Sequence, residues 1–151
     1  MDESPFVVIN EIILQAEKEN GKTIILKQDK KADTSLTMIV GELEFLAIAK
    51  EKKLLQTPRP LTHELYLSIL NDSGIDFKRV EIYDLREKVY LARVFYQLEG
   101  LESIADARPS DALALALNRH LPILVHSKLL KKELSPDQLE GFKDFIKSVK
   151  F

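Results

Sequence analysis

The sequence predicts a single domain of the α+β class, with mixed, largely antiparallel sheets and about four helices. Short runs rich in β-branched residues are mixed with segments of helical periodicity instead of alternating with them regularly, which is typical of this class. Three apolar runs also follow one another directly, over residues 77–85, 88–98 and 101–107. Because only two residues separate each run from the next, they indicate an antiparallel meander.

The N-terminal part of the chain is predicted to form a hairpin and a third strand. Residues 6–14 and 22–28 are rich in isoleucine and other apolar residues, and they flank a polar segment that ends at Gly21, which favours a β-hairpin. The polar residues 29–35 are predicted to form a loop, and residues 36–40 a buried strand.

Two helices are predicted next. Gly41 marks the change to helical periodicity over residues 42–53, whose first turn carries Glu42 and Glu44, where the helix dipole favours acidic groups. Residues 61–74 are predicted to form the second helix, since that segment ends at a glycine.

The C-terminal part is predicted to add a buried helix, a strand and a closing helix. The first helix begins near Pro109, and its six consecutive apolar residues, 112–117, predict burial on all sides, with alanines that allow close packing. A strand over residues 122–126 follows. The last helix is expected over residues 136–149, where Ser135 is a suitable N-cap and a proline occupies the first helical position. The single domain therefore spans residues 1–151.

Composition and charge exclude several classes of site and partner. The formal net charge is -2, so no general attraction to nucleic acid or to anionic membranes is expected, and a polyanion site would be a local patch. The absence of cysteine excludes disulfides, thiol catalysis and thiolate metal sites. Polar residues interrupt the apolar run near the N-terminus, so neither a signal peptide nor a membrane span is expected and a cytoplasmic protein is predicted.

Two segments resemble one another, 58-PRPLTHEL-65 and 107-ARPSDALAL-115, and each places an Arg-Pro pair before a predicted helix. A cation at a helix N-terminus opposes the helix dipole, at a cost of about 0.3–1 kcal/mol unless an anion offsets it. Arg59 and Arg108 are therefore each expected to have an anionic partner. The candidates are a phosphate group and the carboxylates of Glu44, Asp84, Asp106 and Asp111.

Two interpretations fit these charges. In the structural one, Asp106, Arg108 and Asp111 form one hydrogen-bonded cluster that holds the buried helix, because unpaired charges are costly to bury. In the functional one, Arg59 and Arg108 share one phosphate or one carboxylate, and we predict that the two helix starts converge for this reason. Glu44 or Asp111 would then lie between them. An open cluster favours catalysis or anion binding, and a cluster sealed from water favours a structural role.

Three other residues have both a structural and a chemical interpretation. His63 lies in the first turn of its predicted helix, where it suits either hydrogen bonding within the fold or proton transfer. Glu42 and Glu44 are explained equally well as first-turn acids or as ligands of a hard cation such as Mg²⁺, which typically takes only one or two protein carboxylates. The common motifs of serine hydrolases, P-loop proteins, dinucleotide-binding proteins and zinc proteases are absent.

These segments resemble the hallmark motifs of the bifunctional nuclease domain family. The similar stretches are 58-PRPLTHEL-65 and 106-DARPSDALALAL-117, the latter followed by 121-LPILV-125. In addition, 38-MIVGELE-44 resembles the family's strand-Gly-x-x-Glu segment, and residues 135–151 resemble the short C-terminal helix of many bacterial members. Two positions depart from the pattern: the family often has a small residue in place of Phe45 and aspartate in place of Glu64.

The resemblance implies a compact α+β domain with mixed sheets that associates as a homo-oligomer. Plant members of the family are described as degrading both DNA and RNA. The residues of this chain that match the family's motif positions, and to which the resemblance implies a catalytic role, are Glu44, Arg59, His63, Asp106, Arg108 and Asp111.

Two functional hypotheses follow. The resemblance implies a nuclease for DNA and RNA. General chemistry suggests a hypothesis for its mechanism, in which carboxylates hold a divalent cation such as Mg²⁺, arginines stabilise charge on the phosphoryl oxygens and His63 could protonate a leaving group. The alternative is a non-catalytic module that binds an anion or a protein and whose charged cluster is structural. The net charge of -2 favours the alternative, because nonspecific nucleases usually need a basic surface that follows the phosphates.

Overall fold

The structure is a computed structural model that describes residues 4–17, 21–132 and 148–149. Within these ranges the chain forms three α-helices and two sheets, which confirms the predicted α+β class. In chain order the elements are β1 (Phe6–Val8), β2 (Glu11–Glu17), β3 (Gly21–Lys27), β4 (Thr34–Val40), α1 (Glu42–Glu51), α2 (Thr62–Leu70), β5 (Asp76–Arg86), β6 (Val89–Leu98), β7 (Leu101–Ala107), α3 (Pro109–Arg119), β8 (Ile123–His126), a 3-10 helix (Ser127–Leu129) and β9 (Lys131–Lys132).

The larger sheet has the strand order β1-β8-β5-β6-β7 and contains the predicted meander. β5, β6 and β7 pair in antiparallel fashion, whereas β8 joins β5 in parallel. Both residues of the first meander turn, Glu87 and Lys88, have positive φ, and so do Glu99 and Gly100 in the second. Such turns match the right-handed twist of the flanking strands, so two-residue connections are sufficient here.

The smaller sheet, of order β2-β3-β4-β9, contains the predicted N-terminal hairpin. The prediction of one strand over residues 6–14 is wrong, because the chain changes sheets in the middle of that run. The amide of Ile9 donates to the carbonyl of Ile123 beside the larger sheet, and the amide of Asn10 donates to that of Lys27 beside the smaller one. One apolar run thus contributes β1 to the larger sheet and the first part of β2 to the smaller one.

The core lies where α3 packs against β5 and β6, with α1 and α2 alongside it. Residues 112–116 are buried, as the apolar run predicted, and Leu117 is half-buried. Arg119 ties α3 to α2, because its Nη2 donates to the carbonyl of Leu67 and its Nη1 to Asn71. Arg119 thus joins the C-terminal ends of α2 and α3.

Two predicted helix boundaries differ slightly from the observed ones. α1 ends at Glu51 and α2 at Leu70, and residues 71–74 form turns instead of a last helical turn. The helix expected over residues 136–149 lies outside the described residues except for its last two, of which Val149 is buried in the core. In the described ranges no helix combines the length and apolar character that crossing a membrane requires.

Candidate active site

The first turns of α1, α2 and α3 line one cavity of about 310 Å³. Its walls are largely apolar, with Leu43, Leu61 and Tyr66 among them, and burial together with the charge of Asp111 raises the pKa of Tyr66. The polar residues that line it are Glu44, Thr62, His63, Arg108, Ser110 and Asp111. The helix starts that follow the two Arg-Pro segments therefore converge, as the sequence predicted.

Arg108 is the N-cap residue of α3, and two carboxylates hold its guanidinium group. Nε and Nη2 donate to the two oxygens of Asp111, at 2.8 and 3.1 Å, and Nη1 donates to Oε1 of Glu44 at 3.1 Å. The hydrogen bonds that Arg108 donates to Asp111, and to a lesser extent to Glu44, raise the pKa of Arg108, although partial burial opposes the shift. The anionic partner expected for this arginine is thus supplied by the chain itself.

Among the contacts of the described residues, Arg108 nevertheless keeps donors for a ligand. A guanidinium carries five N–H groups, and the three bonds to Glu44 and Asp111 leave one on Nη1 and one on Nη2. The side chain of Arg108 is 48% exposed and that of Asp111 51%, so this cluster is open to solvent. Two neighbouring N–H groups on a planar fork are suited to bind two oxygens of a phosphate.

Gly41 makes room for one of the carboxylates. Its φ of -68° is accessible to any residue, so the glycine is not explained by backbone conformation. A side chain here would instead collide with Oε2 of Glu44, because a Cβ atom built on residue 41 overlaps that oxygen. The Gly-x-x-Glu spacing therefore allows the Glu44 carboxylate to lie beside the start of its own helix while it bonds Arg108.

One residue expected in the cluster and one candidate partner of the arginines lie apart from it. Asp106 is exposed on β7 in register with Arg93, and in the described part of the chain it makes no hydrogen bond or ion pair. The prediction that it joins Arg108 is wrong, because β7 holds Asp106 in the sheet while Arg108 already caps α3. Asp84 is also remote, since its carboxylate binds Arg86 and Lys128.

Arg59 does not share an anion with Arg108. It is exposed, it does not line the cavity, and its guanidinium makes no hydrogen bond within the described ranges. The prediction of a shared arginine site is therefore wrong at Arg59. The two segments start their helices at different points: Arg108 is itself an N-cap, whereas α2 is capped at Leu61, two residues beyond Arg59.

His63 is buried and is bound by a residue that the sequence did not indicate. Its Nε2 lies 2.7 Å from Oε1 of Glu51, and the side-chain amide of Asn118 donates to the same oxygen at 3.1 Å. Glu51 is the last residue of α1, where the helix dipole disfavours an acid. An acid at a helix C-terminus is as unfavourable as an arginine at a helix N-terminus. The same dipole argument could therefore have identified Glu51 as a residue that needs a partner.

A group of possible metal ligands lies beside the cavity, but its donors are already engaged. One ligand atom from each of Glu51, His63 and Glu64 lies within 4.8 Å of the others. However, the ammonium group of Lys50 binds Glu64, which also accepts a hydrogen bond from the amide of Leu61 at 2.9 Å. Burial raises the pKa of Glu64, but these two hydrogen bonds outweigh it and the net shift is downward. Lys50 therefore already supplies the positive charge that a metal ion would bring.

Comparisons of the sequence with known proteins identify the family. The model of the bifunctional nuclease domain matches residues 24–138. An uncharacterized protein of Mycobacterium tuberculosis is 30% identical over 151 residues, which cover 90% of each chain. Bifunctional nuclease 2 of Oryza sativa subsp. japonica is 29% identical over 109 residues, or 70% of this chain and 34% of the rice protein.

A second plant relative gives a similar result. Bifunctional nuclease 1 of Arabidopsis thaliana is 26% identical over 109 residues, which are 70% of this chain and 34% of that protein. The similarity to the plant proteins is thus confined to about a third of their length, whereas the mycobacterial relative matches nearly end to end. Because the domain model covers most of this chain, the protein belongs to the bifunctional nuclease domain family.

Proposed function

We propose that this protein is a nuclease that hydrolyses phosphodiester bonds of DNA and RNA in the cavity between α1, α2 and α3. The observation that carries the proposal is that Arg108 and His63, a phosphate-binding group and a proton-transfer group, line the same open cavity. Membership of the family supports it, since relatives that share the domain are named bifunctional nucleases. An open cluster also favours anion binding over purely structural pinning.

In this proposal, Arg108 binds the phosphate of the substrate. Asp111 and Glu44 hold its guanidinium, so that the two remaining N–H groups of the fork are oriented before the substrate arrives. Donors fixed in advance stabilise charge that develops on phosphoryl oxygens, because no reorganisation is needed during the reaction. Glu44 and Asp111 thus position Arg108.

The charges around Arg108 favour a divalent cation as cofactor. One arginine faces two carboxylates, so a phosphodiester that enters meets a local excess of negative charge. A cation such as Mg²⁺ would offset that charge, and it typically takes one or two protein carboxylates. Glu44 would hold it through Oε2, which makes no hydrogen bond in the described part of the chain, whereas both oxygens of Asp111 already accept from Arg108. Such a cation would supply Lewis acidity toward phosphoryl oxygens.

The test is cleavage of end-labelled single-stranded and duplex DNA and RNA by the purified protein. We expect cleavage that depends on Mg²⁺ or Mn²⁺ and is abolished by a chelator. His63→Gln and Asp111→Asn should lower the rate by about 100-fold, the order expected for the loss of one proton-transfer or charge-stabilising group. The matched control is His120→Asn, which changes an exposed histidine outside the cavity. No cleavage of any of the four substrates by the folded protein would contradict the proposal.

We also propose that the protein acts in the cytoplasm as a homo-oligomer. The helices that line the cavity expose large apolar side chains, of which Leu43 is 78% exposed, Leu65 58% and Ile69 66%. Leu65 and Ile69 are four residues apart on α2 and therefore share one helix face, and an exposed apolar patch is typical of protein interfaces. Light scattering should return a mass well above the 17.3 kDa of one chain, and a mass near that value at micromolar concentration would contradict self-association.

A further inference from the structure

In the part of the chain that the structure describes, the ring of His63 is hydrogen-bonded through one nitrogen only. Its Nε2 bonds Glu51, which does not line the cavity, whereas His63 itself does. Within the described ranges, Nδ1 of His63 makes no hydrogen bond. The two ring nitrogens therefore differ: one is engaged with Glu51 and the other is left for a ligand.

Glu51 decides which nitrogen carries the proton of the neutral ring. A carboxylate only accepts hydrogen bonds, so the nitrogen that faces it must be N–H. Asn118 donates to the same Glu51 oxygen from α3, which fixes that oxygen from a second helix. The neutral ring is then the Nε2–H tautomer, and Nδ1 presents a lone pair.

We propose that Glu51 is a positioning residue that holds His63 as the Nε2–H tautomer, so that Nδ1 acts as a general base in the cavity. The role in a reaction rests on the nuclease function proposed above, whereas the tautomer does not. The assignment reverses the role that the sequence-based hypothesis gave to His63, because a ring with a bare Nδ1 accepts a proton before it can donate one.

The reaction step balances as follows. The Nδ1 lone pair of His63 accepts a proton from a water molecule, whose oxygen forms a bond to phosphorus. The bond between phosphorus and the leaving oxygen breaks, and that oxygen keeps the electron pair and takes a proton from solvent. The carboxylate of Glu51 stabilises the protonated ring through the Nε2–H bond, and the ring returns its extra proton to solvent.

The other charged groups near His63 are already paired. Glu64 on α2 is bound by Lys50 of α1, and across the cavity Arg108 of α3 is bound by Glu44 and Asp111. In the described part of the chain, Glu51 is the only residue that makes a hydrogen bond to the imidazole. Glu64→Gln is therefore a matched control, because it removes a carboxylate from the same neighbourhood without removing a bond to the ring, and glutamine also serves at this third helical position.

The first readout needs no substrate. Nitrogen-15 NMR of the imidazole in the full chain, at about pH 8 where an ordinary histidine is neutral, distinguishes the two tautomers. We expect the Nε2–H form for His63 in the native protein and in Glu64→Gln. In Glu51→Met, which has similar volume but no acceptor, the preference should be lost. An Nδ1–H ring in the native protein overturns the inference.

The second readout is the division of the effect between kcat and KM. Glu51→Met should lower kcat by about 100-fold while KM changes by less than about two-fold, since Glu51 acts on the base and not on substrate binding. Glu51→Gln, whose amide oxygen still accepts both hydrogen bonds, should restore part of kcat, and Glu64→Gln should match the native enzyme. If Glu51→Met does not fold, the kcat of Glu51→Gln and the tautomer of His63 in the native protein test the positioning role.

The two proposals fail in different ways. If the native protein cleaves no nucleic acid, the nuclease function fails, and the NMR tautomer still tests the positioning by Glu51. If the native protein cleaves and Glu51→Gln and Glu51→Met keep the native kcat, the positioning role fails while the nuclease function stands.

Discussion

The carboxylate of Asp111 receives two parallel hydrogen bonds from the guanidinium of Arg108, at 2.8 Å from Nε and 3.1 Å from Nη2. A third bond joins Nη1 to Glu44 on another helix. The planar arginine fork therefore links the starts of α1 and α3 in a way that a lysine ammonium does not reproduce.

Replacement of Arg108 by lysine should show whether cleavage depends on the geometry of the guanidinium donors or only on their positive charge. We expect Arg108→Lys to lower cleavage by about 100-fold, because charge is kept and the two-pronged donor is lost. The loss of stability should be small, about 0.2–1 kcal/mol, since the pair is exposed. Cleavage assays and urea unfolding check both values, with Arg86→Lys as the control for an arginine outside the cavity. A large loss of stability with unchanged cleavage would indicate a structural role.

A side chain at residue 41 should act through Glu44. We expect Gly41→Ala to fold normally and to displace the Glu44 carboxylate from Arg108, because the new Cβ occupies the place of Oε2. Cleavage should fall by about ten-fold, which corresponds to about 1.4 kcal/mol. The control is the same substitution in a Glu44→Gln background, where its effect should be much smaller. Equal effects in both backgrounds would mean that Gly41 acts independently of Glu44.

Stability at acid pH should depend on Asp84. Hydrogen bonds from Lys128, from the amide of Leu85 and from Arg86 lower the pKa of Asp84 from 3.8 to about 2. A lowered folded-state pKa means that this stabilisation is complete above about pH 4 and disappears as the pH falls toward 2. We therefore expect Asp84→Asn to melt at a lower temperature than the native protein at neutral pH, with the difference vanishing between about pH 4 and 2.

The control for Asp84 is Asp106→Asn, which removes an exposed carboxylate that has no ion pair in the described part of the chain. Its melting temperature should follow that of the native protein across the same pH range. A constant difference between Asp84→Asn and the native protein down to about pH 2 would count against the ion pairs as its cause.

Truncation of the buried helix should be severe. Leu113 is completely buried where α3 meets the sheet, so Leu113→Ala leaves a cavity and should lower the free energy of unfolding by about 2–5 kcal/mol. Leu117→Ala removes the same atoms from a half-buried site and should cost clearly less. Denaturant unfolding of both variants measures the difference. Similar losses would mean that α3 is less deeply embedded than its burial indicates.

Much of the fold was predictable because its signals are local. Three apolar runs separated by two residues each indicated the meander, and the apolar run of residues 112–117 indicated the buried helix. The split of residues 6–14 between two sheets was not predictable, because a run of β-branched residues has the same sequence pattern whether it pairs within one sheet or within two. Which carbonyls pair with Ile9 and Asn10 depends on strands far away in the sequence.

Contacts of the candidate site between residues close in sequence were predictable, whereas contacts between different helices were not. Arg108 and Asp111 are three residues apart on one helix, so their pairing follows from the sequence. Glu51 and His63 meet only because α1 and α2 approach each other beside α3, an arrangement that no spacing encodes. Arg59 misled the prediction because the repeated Arg-Pro pair suggested equal helix starts.

The order in which the sheet can be assembled follows from the pairing of β1 with β8. Phe6 lies opposite His126, so the first described strand finds its neighbour some 120 residues later in the chain. During synthesis on the ribosome, the β5–β6–β7 meander can form as soon as it emerges, whereas β1 must wait until β8 has left the exit tunnel. β1 therefore joins the larger sheet late. Until β8 has been synthesised, the edge of β5 has no partner strand and is exposed to other proteins.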